Sequence, residues 1–200
     1  MIQVFKWQTA SPVPNLAETL RYMGVRGEPT PELIALAEKG IEKVRAAAVC
    51  RGCYARVPIE VPDDRRVIIA GETVITGSLA KHLHGCGEAY LTAATVGIGI
   101  DRLIRTTAAV SQAECLAIDA AGSSAAEWVC DELNEELGQT ASREGKALRR
   151  RFSPGYGDFP LEYQRSFMRL LDLSKNAGIT LNDSLLMSPT KSVTAVIGIE

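Results

Sequence analysis

The feature that most constrains this chain is a long helical stretch opening at Ser111. Ser111-Gln112-Ala113-Glu114 matches a capping box, in which the serine oxygen and the glutamate side chain each satisfy a backbone donor left orphaned at a helix start. Helical sequence continues to roughly Leu137. Its middle, Ala117 to Ala126 with Gly122, Ser123 and Ser124, consists of small residues, so another element can come close to its backbone. A helix of that kind belongs at the centre of a domain, and the rest of the chain must supply what packs against it.

Other elements follow from local signals. Thr30-Pro31-Glu32 is a cap followed by proline at the first helical position, leading into Leu33, Leu36, Ala37, Gly40, Ile41 and Val44 at helical spacing. The pattern then shifts to β-branched runs, Arg56 to Val61 and Arg66 to Ile69, with a hairpin turn at Pro62-Asp63-Asp64-Arg65. Gly77-Ser78 opens a short helical segment to about His84, and Glu88 to Val96 reads as a buried strand ended by Gly97 and Gly99. Lys146 to Phe152 reads as a strand. Asp158 is expected to cap a last helix carrying Leu161, Phe167, Met168, Leu170 and Leu171, with Gly178 ending it, and Val193 to Ile199 is a terminal strand.

Strands and helices mix without regular alternation, which predicts an α+β fold with a mainly antiparallel sheet flanked by helices. Residues 1–200 are expected to form a single domain, with no internal repeat and no low-complexity linker. The net charge of −2 and the scattered Lys and Arg lack the basic excess of a nucleic-acid-binding protein. The one basic run, Arg149-Arg150-Arg151, reads on charge alone as a solvated strand edge. The first residues show no export signal, and apolar stretches are broken by charge and glycine, so a cytoplasmic protein without membrane spans is expected. Five cysteines at irregular spacing suit a reducing compartment better than a disulfide framework.

Three motifs invite chemistry. Gly97-Ile98-Gly99-Ile100-Asp101-Arg102 follows a strand, but Arg102 stands where a dinucleotide fingerprint needs a small residue, so it reads as a turn. Cys50-Arg51-Gly52-Cys53 has the spacing of a zinc or redox pair, with His82, His84 and Cys86 as further donors, yet no second tight pair accompanies it. The loop Arg151-Phe152-Ser153-Pro154-Gly155-Tyr156-Gly157-Asp158 offers more. Gly155 and Gly157 permit backbone conformations closed to other residues, Pro154 stiffens the turn, Arg151 presents a planar fork for a carboxylate, and Tyr156 brings stacking surface and a hydroxyl. Such a loop can hold a small zwitterion; it is equally an ordinary turn between strand and helix.

The run Arg151 to Tyr156 resembles the arginine, three residues, glycine, tyrosine motif of the activation domain of cobalamin-dependent methionine synthase. Ser188-Pro189-Thr190-Lys191-Ser192-Val193-Thr194 to Gly198 is similar to the family's late proline-containing segment, and Gly87 to Gly97 to its earlier strand. The resemblance runs from about Leu20 to the end, with residues 1–19 divergent. It implies a stand-alone subunit that binds S-adenosylmethionine and supports reductive remethylation of a corrinoid. The cobalamin would sit on a partner methionine synthase or other corrinoid protein, and a flavodoxin-type protein would donate electrons. Arg151 would take the methionine carboxylate, the backbone of Ser153 would contact the adenosine, Gly155 and Tyr156 would shape the pocket, and Glu127 resembles a family glutamate near the site. The family's acidic partner for the ligand amino group, near its domain's start, has no counterpart here. A docking module that has lost the ligand, and a metal or redox protein using Cys50 and Cys53, stand as alternatives.

Overall fold

The computed structural model describes residues 2–200. Its centre is a mainly antiparallel sheet clad by helices, as the irregular element order predicts. The strands are β1 (Phe5–Gln8), β2 (Arg51–Asp63), β3 (Arg66–Ile69), β4 (Glu72–Ile75), β5 (Glu88–Thr95), β6 (Thr180–Leu181), β7 (Met187–Ser188) and β8 (Ser192–Ile199). The helices are α1 (Leu16–Tyr22), α2 (Pro31–Ala47), α3 (Gly77–His82), α4 (Ile98–Ala108), α5 (Gln112–Arg143), α6 (Gln164–Leu170) and α7 (Leu173–Asn176), with a 3₁₀ turn at Leu161–Tyr163. The main sheet runs β4-β3-β2-β5-β8, β1 pairs with the start of β2, and β6 and β7 form a separate small hairpin.

Both faces of the sheet are covered, so strand side chains alternate between two cores. Cys53, Ala55, Val57 and Ile59 of β2 meet Leu91, Leu79, Phe159 and Phe167 on one face. Tyr90, Ala94 and Ile197 meet Val44, Ile118, Ala125 and Val129 on the other. The helix α5 runs the length of this second face, and its small residues do what their size allows. At Gly40 of α2 a β-carbon would stand 2.8 Å from the Ala117 carbonyl, so the two helices touch backbone to backbone. Ser124 Oγ accepts the Asn15 amide at 2.8 Å, fastening the start of α1 to the same helix.

Four sequence expectations are corrected. Lys146 to Phe152 is not a regular strand; it follows β8 through isolated bridges at Leu148 and Phe152. Asp158 does not cap the helix after it. Its carboxylate reaches across the fold to accept from the Thr76 hydroxyl at 2.7 Å and the Gly77 and Ser78 amides at 2.7 and 2.9 Å, capping α3. The last helix is broken into a 3₁₀ turn, α6 and α7, with Asp172 left-handed at the break. Gly97 to Arg102 is no simple turn, because α4 begins within it at Ile98. The charge reading of Arg149-Arg150-Arg151 also divides: Arg149 pairs with Glu200, and Arg151 pairs with two acids described below.

Candidate functional site

The glycine loop is held from several sides before it meets any ligand. Phe152 joins β8 by mutual backbone hydrogen bonds with Val196, both 2.9 Å. Gly155 N donates to Phe159 O at 2.8 Å, and Tyr156 N to Ser153 O at 3.1 Å, closing a tight double turn. Gly155 sits at φ +94° and Gly157 at +55°, left-handed values that explain both glycines. Phe152 packs against His82 of α3 and against buried Phe159, with ring centroids 5.1 and 6.3 Å apart. Asp158, accepting three hydrogen bonds at the start of α3, is held well below the ordinary carboxylate range by the Thr76 hydroxyl and the Ser78 and Gly77 amides.

Upstream of the turn, Arg151 leans on α5. Its Nη1 donates to Asp131 Oδ1 at 2.7 Å and its Nη2 to Glu127 Oε2 at 3.1 Å. The two acids are four residues apart, one helical turn, so they share a face. Burial opposes the charge of Arg151, but the neighbouring Cys130, Asp131 and Glu127 outweigh it and hold the guanidinium above its ordinary value. Beneath it, burial pushes the Cys130 thiol up to about 12.

Beside these residues opens a cleft of about 440 Å³ lined by Glu127, Arg151, Ser153, Pro154, Tyr156 and Gln164, closed by Met187, Ser192, Val193 and Thr194. Four of the five residues predicted for the site, Arg151, Ser153, Tyr156 and Glu127, therefore converge on one cleft. Gly155 shapes the turn behind it without lining it. Tyr156 is 66% exposed and stands at the rim. Gln164, only 5% exposed, accepts the Thr194 hydroxyl at 2.8 Å, so its amide is fixed in place at the cleft wall.

Sequence reasoning missed Asp131, Gln164 and Thr194. Asp131 was findable, since i and i+4 neighbours on a helix present to one partner. Gln164 and Thr194 had no local signal, because they meet only when α6 folds over β8.

A larger cleft, about 810 Å³, lies on the other side of α3, lined by Val61, Pro62, Asp63, Asp64, Lys81, His84 and Arg149. Two of its charged groups are engaged with neighbours: Asp63 pairs with Arg66, and Arg149 with Glu200 and the His84 carbonyl. Convergent polar groups, more than volume, mark a binding site, and the smaller cleft has them.

Cys50 and Cys53 do not converge. Cys50 precedes β2 and is buried in one core, while Cys53 lies on β2 and is buried in the other, on the opposite face of the sheet. Burial pushes the two thiols up to about 11 and about 12. Among the described residues no group of three or more His, Cys, Asp or Glu side chains is placed to hold a metal ion.

No protein-family model matches the sequence, and no curated protein matches it. Its fold, however, is that of a reactivation domain: the crystal structure of the MetH reactivation domain bound to AdoHcy superimposes with a TM-score of 0.75 at 15% identity. The alignment covers 98% of this chain and 78% of that one. At that identity the likeness shows the fold, α+β with a mainly antiparallel sheet. No helix among the described residues is long and apolar enough to cross a membrane.

Proposed function

We propose that this chain is a reactivation module that binds S-adenosylmethionine and presents it to a corrinoid on a partner protein. The observation that carries this reading is the cleft itself: on a reactivation-domain fold, it gathers Arg151, Ser153, Tyr156 and Glu127 around one opening. The solved neighbour was crystallised with AdoHcy, the demethylated form of that ligand, which supports the same ligand class here. When bound, S-adenosylmethionine supplies an electrophilic methyl group for the reduced corrinoid of a methionine synthase or related methyltransferase, with a flavodoxin-type protein as electron donor.

The chain's own task is orientation more than acid-base chemistry. Arg151 binds the amino-acid carboxylate through its planar fork. The backbone at Ser153 faces the adenosine, and Tyr156, exposed at the rim, supplies a ring edge and hydroxyl over the opening. Calorimetry with S-adenosylmethionine and S-adenosylhomocysteine tests this. Saturable binding, lost in Arg151→Ala, is expected; no heat at millimolar ligand ends the reading.

One observation favours a second reading, a docking module for a corrinoid protein without the ligand. Arg151 already has a carboxylate at each terminal nitrogen, so it is neutralised without any ligand. Capture of a corrinoid protein that is indifferent to Arg151→Ala, by a protein that binds no S-adenosylmethionine, is what this reading expects.

A further inference from the structure

The two acids on Arg151 are not equivalent. Glu127 lines the cleft and meets Nη2, whereas Asp131 lies outside it and meets Nη1. The Nη1 contact is the shorter, 2.7 against 3.1 Å. Any carboxylate entering from the cleft therefore meets the Nη2 edge first and competes with Glu127 alone. We propose, on the reading that the cleft takes an amino-acid-bearing ligand, that binding is an exchange of ion pairs. The ligand carboxylate displaces Glu127 from Nη2 of Arg151, the released Glu127 takes the ligand ammonium, and Asp131 keeps Nη1 throughout.

The physical reason is that half-exposed Glu127 gives up a charge-assisted contact when it leaves Nη2. A simple anion returns nothing for that contact, while a zwitterion supplies a cation for the carboxylate it evicts. The site thus selects molecules that carry both charges on adjacent groups. Asp131 is a positioning residue: with it in place the guanidinium keeps its orientation when Glu127 leaves, because the planar fork is fixed by one nitrogen and offered by the other.

Glu127 has opposite effects on two ligands, and that sign change is the test. S-adenosylhomocysteine and its analogue lacking only the α-amino group are titrated into the unaltered protein and into Glu127→Gln. For the zwitterion, Glu127→Gln should weaken binding by about tenfold, since a charge-assisted contact is lost. For the analogue without the amino group, the same variant should tighten binding severalfold, since a competitor for Arg151 is gone. Equal shifts in one direction for both ligands, or none, overturn the exchange while leaving the function intact. Absence of binding by either ligand to the unaltered protein overturns both. Asp131→Asn keeps an acceptor oxygen and should retain the sign change with weaker binding overall, whereas Asp131→Ala should weaken both ligands alike; loss of neither would remove Asp131 from the scheme. Glu127 and Asp131 are partly or largely exposed, so unchanged thermal midpoints for these variants are the folding control.

Discussion

Two glycine-bearing connections in this protein carry an arginine, follow a strand or strand-like segment, and lead toward a helix, yet they are built for different ends. In Gly97 to Arg102 the glycines make room for backbone. A β-carbon at Gly99 would lie 2.4 Å from the Ala47 carbonyl oxygen, and one at Gly97 would lie 2.9 Å from that of Val49. In Arg151 to Asp158 the glycines divide: Gly157 makes room, a β-carbon there lying 2.5 Å from the Ser78 hydroxyl oxygen, and Gly155 serves conformation. Gly155 has space around it, its nearest would-be contact being Leu161 at 3.4 Å, but its φ of +94° excludes other residues. The first connection locks α4 onto the end of α2, and the second turns the chain so that Arg151, Ser153 and Tyr156 face one cleft. The lesson is that a glycine motif does not declare its purpose; what stands against each Cα does.

The sharpest break of this comparison is Gly99→Ala. The clash is with backbone, which cannot rotate away, so a loss of about 2–4 kcal/mol in chemical denaturation is expected, with ligand affinity of the surviving fold unchanged. A stability change under about 0.5 kcal/mol would mean that the α2–α4 contact gives easily. Arg151→Ala should behave in the opposite way, leaving stability nearly as it was and weakening S-adenosylhomocysteine by roughly thirtyfold, or about 2 kcal/mol, in calorimetry. Unaltered affinity would place the ligand elsewhere.

Gly155→Ala sits between these cases. Forcing an alanine into the left-handed region costs about 1–2 kcal/mol, and because the turn aims Ser153 and Tyr156, both melting temperature and affinity should fall together. If only stability falls, the turn is a structural feature without a part in binding.

The smallest effect concerns pH. Asp158 is held below its unfolded value of about 3.9 by the donors at the start of α3, so its contribution is complete above that pH and fades as pH drops through and below it. Unfolding midpoints measured from pH 6 to pH 3 should decline less steeply in Asp158→Asn than in the parent. Identical profiles would show that the tie between the loop and α3 contributes nothing to stability.

Much of this was legible before any coordinates. The serine cap at Ser111, the Thr30-Pro31 start, the hairpin at Pro62 to Arg65 and the buried strand from Glu88 are each written in adjacent residues and each is present, although Glu114 pairs with Lys39 and Lys43 and does not close a capping box onto the Ser111 amide, which donates to Thr107 O. Part of the cleft lining was legible too, because Arg151, Ser153 and Tyr156 are close in sequence. The failures share one cause. Asp158 looks like the cap of the helix that follows it and instead caps α3, some 80 residues earlier in the chain. Cys50 and Cys53 look like a pair, yet Cys50, just before β2, is buried in one core and Cys53, on β2, in the other.

The sequence by itself determined where α2, α5 and the strands β2, β5 and β8 lie, which of their faces are apolar, and that one loop would carry an arginine, glycines and a tyrosine within reach of each other. Those follow from periodicity, caps and backbone freedom, all short-range. Only the tertiary structure decided that α5 would present Glu127 and Asp131 to the two nitrogens of Arg151, and that Gln164 and Thr194 would wall the cleft. Charged and polar side chains take the partners that packing brings to them. Packing here is settled by two apolar cores on either side of one sheet, whose assembly no local pattern records.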